Sequence, residues 1–363
     1  MENPQSNMAN ESLPTVEEDA PSISGLYELA IGATAENEAA LIEYWQQFGF
    51  SVGQSGTLSA TQANQLYGVN SSLRSHRLHN QVTDRSLLRL MVWEKPVNEG
   101  LGLTPLKAVG SRWGTSLSLD VFNIANHAED AMLLWSRFAN AAGLPVYYVP
   151  PQRNLIYRPD PFQPFIQANP CVHEMVLIQP LTRQVFFERH DYTRPNSGIV
   201  NPDSHFKASE FVHAGLIVDC DHEKLDFYDQ VLGLRRSTNN SESKYVEASR
   251  RILELKGPEN GERMLNYYFN APLTSSTDKT QARSGNFEVL RFEGTLINKL
   301  AYSRPGSLGV CLYTMKVRDI EEYYQRVSTS EATQVTQVYE NEFGEKSFSF
   351  IAPDGYFWTL LEG

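Results

Sequence analysis

One imidazole and a handful of carboxylates are the groups in this chain with both the chemistry and the setting for proton transfer. His213 sits inside Phe211–Val218, a run that is otherwise apolar and β-favouring. An imidazole in such a strand is either a hydrogen-bonded core group or a ligand or proton acceptor facing a cavity. Glu28 and Asp120 lie on or beside comparable runs, and Glu188 on another. A carboxylate buried beside a second one has a raised pKa and can serve as a general base. The competing reading pairs these acids with Arg112, Arg183 or Arg189, or leaves them solvated. Cys171, Cys220 and Cys311 are far apart and make no zinc-type or disulfide-framework spacing. No nucleophile-elbow motif supports Ser-His-Asp chemistry. No glycine-rich turn joins a strand to a helix in the spacing of a phosphate loop.

The elements that must hold these residues repeat. In residues 211–234 the strand is followed by Asp221, which can cap a helix. Leu225, Tyr228 and Leu232 then recur at helical spacing, and Gly233 ends the helix. The same strand–helix unit is written at 25–50, closed by Phe48-Gly49-Phe50. It returns at 112–144, where Asn126 and Glu129 have capping-box spacing and Gly143 closes the helix, and at 307–327, where Asp319 precedes Glu322 by three residues. Each opening is followed by candidate strands: 87–93, 173–179, 184–189, 245–255 and 264–270. In the last unit two strands flank Asp354-Gly355, a hairpin signal. The intervening stretches 95–111, 190–209 and 271–306 read as linkers, and the proline-rich 145–170 as a connection or a lid.

Side chains alternate across a strand, so the row beneath the helix is the more apolar one. That rule buries Tyr27, Leu29 and Ile31, then Leu117, Leu119 and Val121, then Ala214 and Leu216, then Tyr313 and Met315. It turns His213 to the other face, together with Glu28, Ser116 and Leu312 at the corresponding places.

The chain has 363 residues, enough for two or three domains, with 41% hydrophobic and 20% charged residues. A formal charge of −12 argues against a phosphate-neutralising surface, and so against nucleic acid as a partner. No run approaches the roughly 20 apolar residues of a membrane helix, and the N-terminus lacks a signal-peptide pattern. Residues 1–22 carry acidic residues and no basic one and read as a disordered acidic tail. A cytoplasmic location is the expectation.

The strand histidine with Phe227, Tyr228 and Leu232-Gly233-Leu234 resembles the opening of a βαβββ module of the vicinal oxygen chelate superfamily. That superfamily includes glyoxalase I, extradiol dioxygenases and bleomycin-resistance proteins. Pro353-Asp354-Gly355 is similar to its last hairpin. The resemblance implies an α+β fold of four βαβββ modules, paired into two curved-sheet half-barrel units. The expected domains are an N-terminal pair over 23–190 (modules 23–95 and 112–190) and a C-terminal pair over 208–363 (modules 208–296 and 305–363). Glu28, Asp120 and Glu188 would then converge in the first pair.

In the dioxygenases of this layout, two histidines and a glutamate in the second half hold the metal. By resemblance those positions fall here on His213, Leu312 and Thr359. One ligand of three remains, and hydrocarbon or hydroxyl groups do not complete a facial triad. A divalent metal (Fe, Mn or Zn) would therefore rest on His213 alone. The expected catalytic residues are His213, Glu28 and Asp120. The expected ligand-binding residues are Ser116, Leu312, Thr314, Lys316 and Thr359. The implied function is a divergent glyoxalase/dioxygenase-type protein acting on a small oxygen-bearing or aromatic molecule, as a lyase, isomerase or ring-cleaving enzyme. The alternative is a non-catalytic protein that sequesters a small ligand. The expected partner is that small molecule, with neither nucleic acid nor membrane, and homo-oligomers are compatible with the fold.

Overall fold

The computed structural model of the protein describes residues 23–137, 145–156, 162–239, 248–256, 262–272 and 283–363. The tail at 1–22 and Gly143 lie outside the described residues. The first module comprises β1 (Glu28–Ala33), α1 (Glu38–Gln47), β2 (Ser51–Leu58), α2 (Ala60–Tyr67), β3 (Leu73–His79) and β4 (Leu87–Trp93). The second comprises β5 (Arg112–Ser118), α3 (Val121–Arg137), β6 (Tyr147–Leu155), β7 (Cys171–Ile178) and β8 (Arg183–His190). The third contains β9 (Ala208–Val218), β10 (Arg235–Asn239), α4 (Ala248–Ile252), β11 (Arg263–Asn270) and β12 (Asn286–Glu293). The fourth contains β13 (Gly309–Val317), α5 (Ile320–Ser328), β14 (Tyr339–Glu340), β15 (Lys346–Ile351) and β16 (Phe357–Glu362).

The four modules form two curled eight-stranded sheets, as expected, but the partners differ from the sequence expectation. The strand orders are β14-β15-β16-β13-β1-β4-β3-β2 and β10-β11-β12-β9-β5-β8-β7-β6. The first module thus pairs with the fourth and the second with the third, which corrects the N-terminal and C-terminal pairs. The physical reason is that each opening strand has a free antiparallel edge. β1 fills its edge with β13, and β5 with β9.

The helices and the convex faces of both sheets share one core. Leu29 and Ile31 of β1, Ala214 and Leu216 of β9, Tyr313 and Met315 of β13, and Trp45 of α1 all belong to it. Hydrogen bonds cross between the sheets there. The Tyr313 hydroxyl donates to the Gly215 carbonyl at 2.6 Å, and that of Tyr356 to the Ile217 carbonyl at 2.6 Å. The concave faces therefore look away from each other.

Several local expectations change. The segment after Asp221 forms a 3₁₀ turn and then a π turn rather than an α-helix, still closed by Gly233 at φ +77°. Asn126 and Glu129 lie inside α3 rather than at its start. Residues 248–252 are helical instead of extended. The stretch read as a linker at 271–306 contains β12, the last strand of its module. Part of 145–170 is β6, an edge strand whose Pro150 and Pro151 sit in a bulge between Val149 and Gln152, where missing amide donors break no ladder. The Asp319 carboxylate does cap α5, accepting from the Glu322 amide at 2.9 Å. Among the described residues no helix is long and apolar enough to cross a membrane.

Candidate functional site

The concave face of the second- and third-module sheet opens into a cavity of about 450 Å³, within the range of small-molecule sites. Its floor is set where β5 crosses β9. Thr115 lies opposite His213, and Trp113 opposite Gly215. Gly215 is needed there, since a Cβ would fall 2.0 Å from the Trp113 ring.

The outer strands complete the walls. β12 runs parallel to β9 with Asn286 beside His213, so Glu288, two residues on, shares its face. The nearest Glu288 oxygen, Oε2, is 3.4 Å from His213 Nε2. Asn266 Nδ2 of β11 donates to Glu288 Oε1 at 2.6 Å. Burial alone would raise this carboxyl, but bonds from His213, Tyr268 and Asn266 hold it below the usual carboxylate range. On the opposite wall Phe187 of β8 lies with its ring 5.3 Å from that of His213. Its cross-strand neighbour on β7 is Glu174. Glu174 accepts from Asn154 Nδ2 at 3.0 Å, yet burial, reinforced by the Glu288 charge, pushes its pKa up to about 7.

The cavity thus holds two acids in opposite states near neutrality. Glu288 is ionised beside an imidazole, whereas Glu174 is poised to give or take a proton. Three buried atoms of lining residues, Thr115 Oγ1, Arg194 Nε and Asn266 Oδ1, have no hydrogen-bond partner.

Of the expected site residues, only His213 lines this cavity. Ser116 is buried in the ladder opposite Phe211, because Trp113 and Thr115 face the cavity and alternation along β5 turns Ser116 to the other side; the residue left over by the bulge at this crossing is Val212 of β9. Thr115 takes its place. Asp120 is exposed and caps α3, accepting from the Asn123 amide at 2.9 Å. Glu188 accepts from the Val121 amide at the same helix end. Neither acid meets Glu28.

Glu28, Leu312, Thr314, Lys316 and Thr359 all belong to the other sheet, whose concave side is filled. Arg77 Nε donates to Glu28 Oε1 at 2.6 Å, Arg89 pairs with Glu28 Oε2, and Thr314 Oγ1 donates to that same oxygen at 2.7 Å. Residues 341–345, between β14 and β15, fold over this cluster. Arg77 Nη2 donates to Glu345 at 2.7 Å, the Tyr67 hydroxyl to Glu342 at 3.0 Å, and the Phe343 ring lies 4.1 Å from the Arg77 guanidinium. Burial opposes ionisation of Glu28, but the two guanidiniums keep it lowered. Lys316 lies over the Tyr27 ring and 3.4 Å from Glu345. Leu312 packs in an apolar plug with Leu66 and Tyr67 of α2, and Thr359 bonds Ser349 at 2.8 Å.

Glu288 and Glu174 were missed by the sequence reading. Glu288 could have been found from Asn286–Glu293, where Phe287 and Val289 alternate with Glu288 and Leu290. Glu174 lay within an expected strand, but its raised pKa depends on its surroundings and leaves no trace in the sequence.

The donor set does not fit the expected divalent metal. His213 and Glu288 supply two donors, while the matching positions on β5 and β8 are the Thr115 hydroxyl and the Phe187 ring. No group of three or more His, Cys, Asp or Glu suited to a metal occurs among the described residues. Iron, manganese or zinc sites need more than an imidazole and one carboxylate.

No protein-family model and no curated protein sequence matches the chain. Solved structures do. A putative dioxygenase from Bacillus subtilis is similar at 10% identity and a TM-score of 0.51, over 94% of this chain and 86% of that one. A point mutant of glyoxalase I from Zea mays is similar at 12% identity and a TM-score of 0.50, over 94% of both chains. A second mutant of the same enzyme is similar at 11% identity and 0.50, over 94% of this chain and 93% of that one. Likeness over nearly the whole length, at such low identity, speaks to architecture. With the four repeated modules and two curled sheets, it gives this chain the tandem fold of the vicinal oxygen chelate superfamily.

Proposed function

We propose that the chain is a divergent enzyme of the glyoxalase/dioxygenase fold that moves a proton on a small oxygen-bearing molecule, as a lyase or isomerase, in the cavity of its second and third modules. One observation carries this reading: a carboxyl group with a pKa of about 7 shares a cavity with an ionised carboxylate 3.4 Å from an imidazole. A base poised near the working pH transfers protons most effectively. Glu174 is assigned the proton at the reacting carbon. The His213–Glu288 pair is assigned the substrate oxygen, with Glu288 fixing the orientation of the ring. The Thr115 hydroxyl offers a further hydrogen bond to that oxygen. No step needs a metal. Cys171, Cys220 and Cys311 are free thiols, which suits the reducing cytoplasm. The partner in this reading is a small molecule rather than nucleic acid or membrane.

Deuterium wash-in at carbons next to a carbonyl, followed by NMR across a panel of small ketones and aldehydes in D₂O, tests the assignment. Exchange should rise with pH through about 7 as Glu174 ionises, and disappear in Glu174→Gln. Exchange that survives both Glu174→Gln and His213→Asn would refute it. Ligand binding with no exchange anywhere in the panel would favour the sequestering alternative, which the Phe187 and Thr115 positions also suit.

A further inference from the structure

The same cavity holds two cations that the acid–base chemistry leaves unused. Arg189, two residues beyond Phe187 on β8, and Arg194, on the loop after that strand, both line it. Neither has a carboxylate within 4 Å among the described residues, whereas Arg77 and Arg89 of the filled sheet each bind one or more. Arg189 gives Nη1 to the Ser197 carbonyl at 2.7 Å, and Arg194 Nε is buried with no hydrogen-bond partner. Burial lowers the Arg189 pKa, and Arg194 adds repulsion that Tyr192 and the more distant Glu210 only partly offset. Glu210 is itself occupied by the Gly198 and Ile199 amides and by Ser284. Glu174 is not held down by either arginine.

Two guanidiniums crowded into a partly desolvated wall are costly unless an anion joins them. A planar carboxylate matches their forked donors. We propose that the ligand of this cavity is a small carboxylic acid, its carboxylate gripped by Arg189 and Arg194 while its oxygen-bearing end reaches Glu174 and His213. The proposal rests on the acid–base reading and deepens it by naming the substrate class. Two residues of strand separate Arg189 from Phe187, about 7 Å at the usual rise. The carboxylate and the reacting carbon are therefore a few bonds apart, with Phe187 and Tyr192 lining the space between them.

Calorimetric titration of the full chain with phenylacetate and benzoate, against phenylacetamide and benzamide, provides the test. Each amide keeps the shape and loses the charge. The acids should bind about tenfold or more tighter than their amides. Arg194→Met should erase that ratio, and Arg194→Lys should keep part of it. A thermal midpoint close to wild type in Arg194→Lys shows that folding is intact. Equal binding of acid and amide, a ratio unchanged by Arg194→Met, or no binding of either acid at millimolar concentration overturns the proposal. Its failure is separable from that of the proton-transfer reading. Glu174→Gln should lose deuterium wash-in while keeping the acid-over-amide preference, and wash-in on uncharged ketones without that preference would sink the carboxylate alone.

Discussion

The two half-barrels share a register and differ in what stands on it. Where the opening strands cross and the last strands run alongside, four positions face the concave side of each sheet. In the second- and third-module sheet they are Thr115, Phe187, His213 and Glu288. In the first- and fourth-module sheet they are Ala30, Met91, Leu312 and Thr359. The first quartet, three of its members polar, borders a cavity of about 450 Å³, while most of the other set is sealed beneath α2. The charges show the same contrast. The filled side pairs its arginines with the carboxylates of Glu28, Glu342 and Glu345, and the open side leaves Arg189 and Arg194 without carboxylate partners among the described residues. One scaffold has thus taken two courses. Burying an ion cluster consolidates one sheet, and leaving charges facing a cavity equips the other for a ligand.

The largest expected effects break this contrast from either side. Arg89→Met takes from Glu28 one of its two guanidiniums and from Glu342 its guanidinium partner within the plug, and should cost about 3–5 kcal/mol in urea unfolding, with acid-over-amide binding in the open cavity unchanged. Glu174→Gln should lower deuterium wash-in by roughly 10²–10⁴-fold while shifting the unfolding midpoint little. A loss of equal size from Glu28→Gln, without loss of folding, would show that the working site had been placed in the wrong half.

A sharper test adds a donor rather than removing one. Phe187→His should bring a third nitrogen or oxygen donor next to His213 and Glu288, and raise Zn²⁺ affinity at least about tenfold by calorimetry. If the wild type binds zinc as tightly, the two-donor account of the site fails. The smallest effect concerns acid. The Glu345 carboxyl is lowered from 4.5 to about 2, burial being outweighed by bonds from Arg77 and Asn341. A depressed carboxyl contributes stability that is present above 4.5 and lost as the pH falls toward 2. The unfolding free energy of wild type should therefore fall more steeply over that window than that of Glu345→Gln.

The repeat and the fold were readable because strand, helix and glycine recur with the same spacing. His213 was readable because an imidazole within the apolar run Phe211–Val218 must find a cavity or a polar neighbour. The partners were not readable. Four similar opening strands carry no mark of which edge each will meet, so β1 with β5 was as reasonable as β1 with β13. The site was blurred by single-residue events. The apolar-row rule set β5 one residue out and so chose Ser116 in place of Thr115, and a linker assignment hid β12 and with it Glu288. Acids on the expected faces, Glu28 and Asp120, proved to be an ion-pair anchor and a helix cap. Charge type was legible in each case, whereas the neighbour that decides its role was not.

The joining of the outer modules bears on how the molecule is made. The Glu28 carboxylate meets the Thr314 hydroxyl across 286 positions of chain, and β1 has its antiparallel neighbour only once β13 exists. During synthesis the middle two modules leave the ribosome with both their opening strands in hand, while the first waits, edge bare, until β13 has emerged. A product terminated before Gly309 would carry a complete inner sheet and an orphaned outer half, the half a chaperone would have to shield.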